Sequence, residues 1–117
     1  MKQEGGEVAG LIATIQSNLS EDVVKSINGV FEFKLNGKEP GTWYLDLKNG
    51  KGDVGAGSFP KGKPHCTLTL KSEDFVKMFK GELNPTQAFM AGKLKMKGNM
   101  MIAMKLEKLM GKFKSKL

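Results

Sequence analysis

Apolar positions near the N-terminus recur every three or four residues, a spacing that predicts an amphipathic helix. Its apolar face consists of Val8, Leu11, Ile12, Ile15 and Leu19. Ser20 then precedes Glu21 and Asp22, so it is well placed to cap a second, shorter helix, because a serine oxygen can accept from the free backbone N–H groups of the first turn. Asn28 and Gly29 are expected to end this helix. The two helices should flank a sheet.

The middle of the chain changes to a period of two residues, which predicts β-strands. The alternating apolar positions are Phe31, Phe33 and Leu35 in a first strand, Trp43, Leu45 and Leu47 in a second, and Cys66, Leu68 and Leu70 in a fourth. A third, glycine-rich strand is predicted within residues 51–58. Asn-Gly pairs at 36–37 and 49–50 favour tight turns with positive φ.

Two further helices are predicted after the fourth strand. Ser72 is expected to cap the first, which buries Phe75, Met78 and Phe79 and ends at Gly81. The second begins with Asn84 as its cap, Pro85 in the first helical position and Gln87 closing a capping box, and it stops at Gly92.

The last part of the chain predicts one more strand and one more helix. Strict alternation from Lys93 to Lys97 puts Leu94 and Met96 on one face of a half-buried strand. Asn99 can cap the helix that follows, and the apolar face of that helix consists of Ile102, Ala103, Leu106, Leu109, Met110 and Phe113. Two helices, three or four strands, two helices, a strand and a helix predict an α+β layer with antiparallel hairpins and helices on one face.

Several of these segments resemble one known family. The segments are NPTQAFMAGKLKMKGNM (84–100), IAMKLEKL (102–109), WYLDLKNGKG (43–52) and CTLTLKSEDF (66–75). Together they are similar to the sterol carrier protein type 2 family of small lipid-binding domains. The resemblance implies a five-stranded, largely antiparallel sheet covered by about five helices, with an apolar tunnel between them. It implies a non-specific carrier, without catalysis, of fatty acids, fatty acyl-CoA, phospholipid or sterol.

Methionine is concentrated at one end of the chain, since five of the eight methionines lie between positions 96 and 110. Methionine fills gaps in ordinary cores, and it also lines cavities that accept apolar partners of different shapes. The resemblance favours the cavity. The expected walls, each of which could instead be plain core, are Phe31, Phe33, Trp43, Leu45, Phe75, Phe79, Phe89, Met96, Met100, Met104 and Leu106. Where some family members have a tunnel-facing glutamine in the last helix, the matching stretch here has Glu107 and Met110.

Length and composition fit one globular domain, predicted over residues 1–114, because 39% of the 117 residues are apolar and 26% are charged. No apolar run approaches the roughly 20 residues of a membrane span, and no signal peptide is recognisable. His65 and Cys66 are adjacent on a strand and should point to opposite faces, so they cannot act as base and nucleophile. A surface histidine and a buried cysteine are expected. We predict no catalytic residue, no metal site and no cofactor.

The net charge of +7 is placed unevenly. Residues 93–117 contain eight lysines and the single acid Glu107, whereas residues 1–92 contain eleven of each sign. All 19 basic residues are lysine, which argues against nucleic-acid recognition because arginine is favoured for reading base edges. Lysine suits attraction to an anionic membrane surface or to the head group of an acyl-CoA.

The final residues Ser115, Lys116 and Leu117 match a peroxisomal targeting signal. We therefore expect an import receptor as a partner and a location in the peroxisomal matrix, with a cytosolic pool. Gly111 is expected to end or loosen the last helix so that this tail can reach the receptor. The alternative to a carrier is a non-catalytic accessory domain that docks to a peroxisomal β-oxidation enzyme. Nothing in the sequence requires more than a monomer.

Overall fold

The computed structural model describes residues 6–114, with side chains through residue 111, and it confirms the predicted order of elements. In chain order they are α1 (Glu7–Ser17), α2 (Glu21–Ile27), β1 (Gly29–Asn36), β2 (Gly41–Leu47), β3 (Asp53–Ala56), β4 (Cys66–Lys71), α3 (Ser72–Phe79), α4 (Pro85–Met90), β5 (Leu94–Gly98) and α5 (Met100–Lys114). The targeting tail at 115–117 lies outside the described residues.

The five strands form one mixed sheet in the order β3-β2-β1-β4-β5. Three pairs are antiparallel, as predicted, while β1 and β4 are parallel. The parallel pair arises because the chain leaves β3 at one edge and returns through residues 57–65 to the free side of β1. β5 pairs with β4 although two helices separate them in sequence. The expected α+β architecture is therefore present, with two pairings, β1 with β4 and β4 with β5, that hairpin signals do not predict.

Three helix starts are capped by the residues that the sequence indicates. The Ser20 hydroxyl accepts a hydrogen bond from the backbone N–H three residues later. The Asn84 side-chain oxygen accepts from the backbone N–H of Thr86 at 2.8 Å, and that of Asn99 accepts from Met101 at 2.9 Å. These bonds satisfy donors that the first helical turn leaves free, so they fix where α2, α4 and α5 begin.

Ser72 is not the cap that we predicted for α3. It is the first helical residue, Lys71 precedes it in extended conformation, and its buried hydroxyl accepts from the backbone N–H of Glu39 at 3.0 Å. The same hydroxyl donates to Glu73 at 2.9 Å. Hydrogen bonds from the backbone N–H of Glu73 itself, from Ser72 and from the backbone of Lys38 lower the pKa of the Glu73 carboxyl. These residues tie the β1–β2 turn to α3.

Gly111 does not end the last helix, because α5 continues to Lys114. A helical glycine lowers stability by only about 1 kcal/mol relative to alanine, which is too little to stop a helix anchored by the buried Leu109 and Met110. Gly92, by contrast, follows α4 with a φ of 79°. That left-handed conformation favours glycine and ends the helix where the sequence indicates.

A cluster of phenylalanines fills the space between α3 and the centre of the sheet. Phe33 and Phe75 have ring centroids 5.0 Å apart, and Phe75 and Phe79 are 5.2 Å apart. Phe31 lies 6.3 Å from Phe33 in a stacked arrangement. All four side chains have at most 1% of their surface exposed. This part of the interior is therefore solid aromatic packing.

Replacing Phe75 with alanine is expected to lower the free energy of unfolding by about 3–5 kcal/mol, because it removes a fully buried ring from a filled core. Met101→Ala is the control: its side chain is 74% exposed, so the change should stay within about 0.5 kcal/mol. Urea denaturation of both variants measures the difference. A loss below about 1 kcal/mol for Phe75→Ala would mean that this interior is loosely packed.

Candidate functional site

An apolar groove opens between α4 and α5, above the part of the sheet formed by β4 and β5. Its volume is about 190 Å³. Leu68 and Met96 form the floor, and the walls are Pro85, Thr86 and Phe89 from α4 with Met100, Ala103, Met104, Leu106 and Glu107 from α5. Where the resemblance implies an apolar tunnel between helices and sheet, the structure has an open groove at one end of the sheet.

The groove follows directly from the periodicities of the elements around it. Alternation in β5 turns Met96 toward the helices, and the strand register sets it opposite Leu68 on β4. On α5, Met100, Met104 and Glu107 are separated by four and three residues, so they lie along one stripe of the helix. That stripe faces α4 across the groove.

The rim of the groove is unusually apolar for a surface. Among residues 6–111, every large hydrophobic side chain that is exposed belongs to α4 or α5 or immediately borders the groove. These side chains are Phe89, Met90, Met100, Met101 and Met104, with exposed fractions from 43% to 79%. Phe89, Met100 and Met104 line the groove, whereas Met90 and Met101 do not, and exposed apolar side chains around a groove typically mark a binding site.

The structure brings together five of the eleven side chains that we expected to line a cavity. Those in the groove are Phe89, Met96, Met100, Met104 and Leu106. The other six lie away from it: Phe31, Phe33, Leu45, Phe75 and Phe79 are fully buried in the core, and Trp43 is a half-buried residue packed against that core. Phe33 is the sheet neighbour of Leu68 in the groove floor, but it does not line the groove because Phe75 and Phe79 of α3 pack against its ring.

Sequence reasoning missed five residues of the lining. They are Leu68, Pro85, Thr86, Ala103 and Glu107. Helical spacing could have found the two on α5, because Ala103 and Glu107 continue the stripe that starts at Met100. The position of Thr86 depends on how α4 packs against α5, and no local pattern indicates it.

At its polar end, the groove has a hydrogen bond that joins its two walls, α4 and α5. The Thr86 hydroxyl on α4 donates to a carboxylate oxygen of Glu107 on α5 at 3.0 Å. The two side chains supply the charged and hydroxyl groups of a lining that is otherwise apolar. A ligand in the groove would therefore meet hydrocarbon along most of its length and one polar pair at one end.

A larger depression of about 610 Å³ lies where β1 and β4 end and β5 begins. Its charged lining residues are Lys71, Lys77, Lys93 and Lys95 together with Glu73 and Asp74. Charges of both signs surround it, so it lacks the apolar walls that hold an uncharged hydrocarbon. The groove between α4 and α5 is the better candidate for an apolar ligand.

His65 and Cys66 have structural contacts, and they do not form a reactive pair. The Cys66 thiol is buried and donates to the backbone oxygen of Asn99 at 2.9 Å, and burial raises its pKa. His65 is half-buried, where we predicted a surface position, because its Nδ1 accepts from the backbone N–H of Val30 at 3.0 Å. In the described part of the chain, no three His, Cys, Asp or Glu residues are grouped so that they could hold a metal ion.

None of the helices within residues 6–114 is long and apolar enough to cross a membrane. The family model described as the SCP-2 sterol transfer family matches residues 9–111. Among curated proteins, the bovine (Bos taurus) hydroxysteroid dehydrogenase-like protein 2 is 47% identical over 116 residues. That match covers 99% of this chain and 28% of the relative, so the chain spans less than a third of that protein's length.

Solved structures show the same fold. The apo form of sterol carrier protein 2 from Yarrowia lipolytica superposes with a TM-score of 0.81 at 35% identity, covering 93% of each chain. Sterol carrier protein 2 from Aedes aegypti, solved in complex with palmitate, superposes with a TM-score of 0.62 at 19% identity. That match covers 94% of this chain and 96% of the Aedes chain.

Proposed function

We propose that this chain, which belongs to the SCP-2 sterol transfer family, binds the hydrocarbon part of a lipid in the groove between α4 and α5 and carries it. The observation that carries the proposal is an apolar groove, open to the outside and rimmed by exposed methionines. Burial of a methylene group is worth about 0.8 kcal/mol, so an acyl chain gains affinity with each carbon it inserts.

The lining favours low selectivity among apolar chains. Methionine has three rotatable bonds and a polarizable sulfur, so Met96, Met100 and Met104 can adapt to ligands of different shape. We therefore propose fatty acids, fatty acyl-CoA, phospholipid and sterol as ligand classes. The Aedes relative of the same fold was solved with palmitate, which supports a fatty acyl chain as one of them.

Uptake of a whole lipid requires the groove to widen. Its volume of about 190 Å³ is below the roughly 300–1,000 Å³ that is usual for small-molecule pockets. Helix α4 is the wall more easily displaced, because its six residues bury only Ala88, whereas α5 buries five side chains beneath it. We propose that α4 moves outward as the chain enters.

A lysine-rich end would assist delivery to membranes. Lys95 and Lys97 are exposed on β5, on the face opposite to Met96, Lys93 is exposed just before that strand, and Lys108 is exposed on α5. Lysines on the elements that border the groove would draw the chain toward an anionic lipid surface, where the exposed methionines could contact the acyl chains. Loading and release could then occur where the groove meets the membrane.

The second candidate function is an accessory domain without lipid transfer of its own. It is favoured by the bovine relative, whose name is that of a dehydrogenase-like protein and of whose length this chain covers 28%. In that case the domain would dock to a peroxisomal β-oxidation enzyme or serve an enzyme part of a longer chain. In either case we propose that this domain itself is not catalytic.

Met104→Lys is expected to weaken binding of a fluorescent fatty acid at least tenfold, because a bound acyl chain would have to cover the ammonium group at the groove wall and displace its water. Met101→Lys is the matched control: Met101 is on the same helix and 74% exposed, against 71% for Met104, but it does not line the groove. Fluorescence titration measures affinity, and thermal unfolding checks that both variants fold. Equal loss in both variants would contradict the assigned groove, and no uptake by the unaltered protein would favour docking.

Binding to lipid vesicles should depend on their charge. We expect association with phosphatidylcholine vesicles that contain phosphatidylserine, and a decrease as sodium chloride is raised, because salt screens exposed lysines. Vesicles of phosphatidylcholine alone are the control. Association that is insensitive to both salt and vesicle charge would exclude the electrostatic part of the proposal.

We propose the peroxisomal matrix, with a cytosolic pool, as the location, on the basis of Ser115, Lys116 and Leu117. A fluorescent protein fused before residue 1 should accumulate in peroxisomes, whereas the same fusion without residues 115–117 should remain in the cytosol. Colocalisation with a peroxisomal marker measures both. The proposal fails if the two fusions distribute alike.

A further inference from the structure

We propose that Glu107 and Thr86 select the head group of the bound lipid, so that the groove prefers a neutral hydroxyl head group to an ionised carboxylate. The inference rests on the proposed function, since it concerns the polar end of the same groove. The apolar part of the lining does not discriminate between ligands of different shape, so this pair would add selectivity for the chemical class of the head group.

Thr86 and Glu107 are the polar side chains in the lining of the groove. Glu107 lies on the α5 stripe with Met100 and Met104, and Thr86 is its hydrogen-bond partner on α4 at 3.0 Å. Among the side chains described, through residue 111, no lysine lies within ion-pairing distance of the Glu107 carboxylate. Within that part of the chain, its negative charge therefore has no cationic partner in direct contact.

The chemistry of the pair discriminates between head groups. An ionised carboxylate only accepts hydrogen bonds, so Glu107 needs a donor, which Thr86 supplies in this structure. When α4 moves outward, a lipid hydroxyl can donate to Glu107 in place of Thr86. A fatty-acid carboxylate has no proton to donate at neutral pH and adds a second negative charge beside the first.

This local effect opposes the charge of the chain as a whole. The net charge of +7 attracts anions from a distance, and the exposed lysines of β5 and α5 strengthen that attraction. At contact distance, however, the Glu107 carboxylate meets the head group directly, and the Coulomb repulsion between like charges rises as their separation falls. Anionic lipids would thus be drawn to the surface and yet bound less tightly in the groove.

The test compares two ligands with the same hydrocarbon length, 1-hexadecanol and palmitate, at neutral pH by displacement of a fluorescent probe. The unaltered protein should bind the alcohol more tightly. Glu107→Gln should raise palmitate affinity about fivefold relative to the alcohol, because the like charge is gone while an acceptor oxygen remains. Thr86→Val should shift the ratio in the opposite direction, toward the alcohol, because it leaves the carboxylate without its donor.

Glu21→Gln is the control for net charge. It removes the same charge from an exposed position on α2 that does not line the groove, so the ratio of affinities should change by less than about twofold. Both Thr86 and Glu107 are exposed, so their variants should fold, which thermal unfolding verifies.

The inference is overturned if Glu107→Gln leaves the ratio unchanged or if the unaltered protein prefers palmitate. In either case, binding of the two ligands would still support the carrier function. If the unaltered protein binds neither ligand, the carrier function fails, and head-group selection fails with it. The same experiment therefore distinguishes failure of head-group selection from failure of the carrier function.

Discussion

Packing of the α3 phenylalanines against β1 is the interaction on which the rest of the structure depends. Phe33, Phe75 and Phe79 form a solid centre, and the sheet extends from it on both sides. A chain of 117 residues has limited apolar surface to bury, so such a centre must supply much of its stability. Because this half is filled, the β4–β5 end can remain incompletely covered without loss of the fold.

At the β4–β5 end of the sheet, the limits of the covering helix α4 are set by residues close to it in the sequence. Gly81, with a φ of 81°, turns the chain after α3, Asn84 caps the start of α4, and Gly92 ends it. Only six residues lie in the helix, and they bury a single alanine. Residues next to α4 in the chain therefore fix where the helix begins and ends, while few of its side chains are buried against the sheet. This combination suits a helix that moves outward when a ligand enters the groove.

The sequence predicts this fold better than it predicts the groove, for a physical reason. Hydrophobic periodicity and helix caps depend on residues that are close in sequence. The helices, the strands and the starts of α2, α4 and α5 could therefore be predicted from neighbouring residues. Period two also identifies the buried face of β1, but it does not say which helix covers which part of that face. Phe31 and Phe75 thus looked equivalent to Met96 as wall residues, although only Met96 reaches the groove. Thr86 and Glu107 meet through packing between α4 and α5, which no local pattern encodes.

Helix α5 separates its two tasks by side-chain type. Where it packs on the fixed interior, it uses mainly the branched residues Ile102 and Leu109, which have few rotamers, together with Met110, while the buried Leu106 both contacts the interior and lines the groove. Where it borders the groove, it uses Met100 and Met104, which can repack around a guest and tolerate water when none is present. The same helix can therefore hold the sheet rigidly on one face and change its surface on the other, and only the second face needs to respond when a ligand enters.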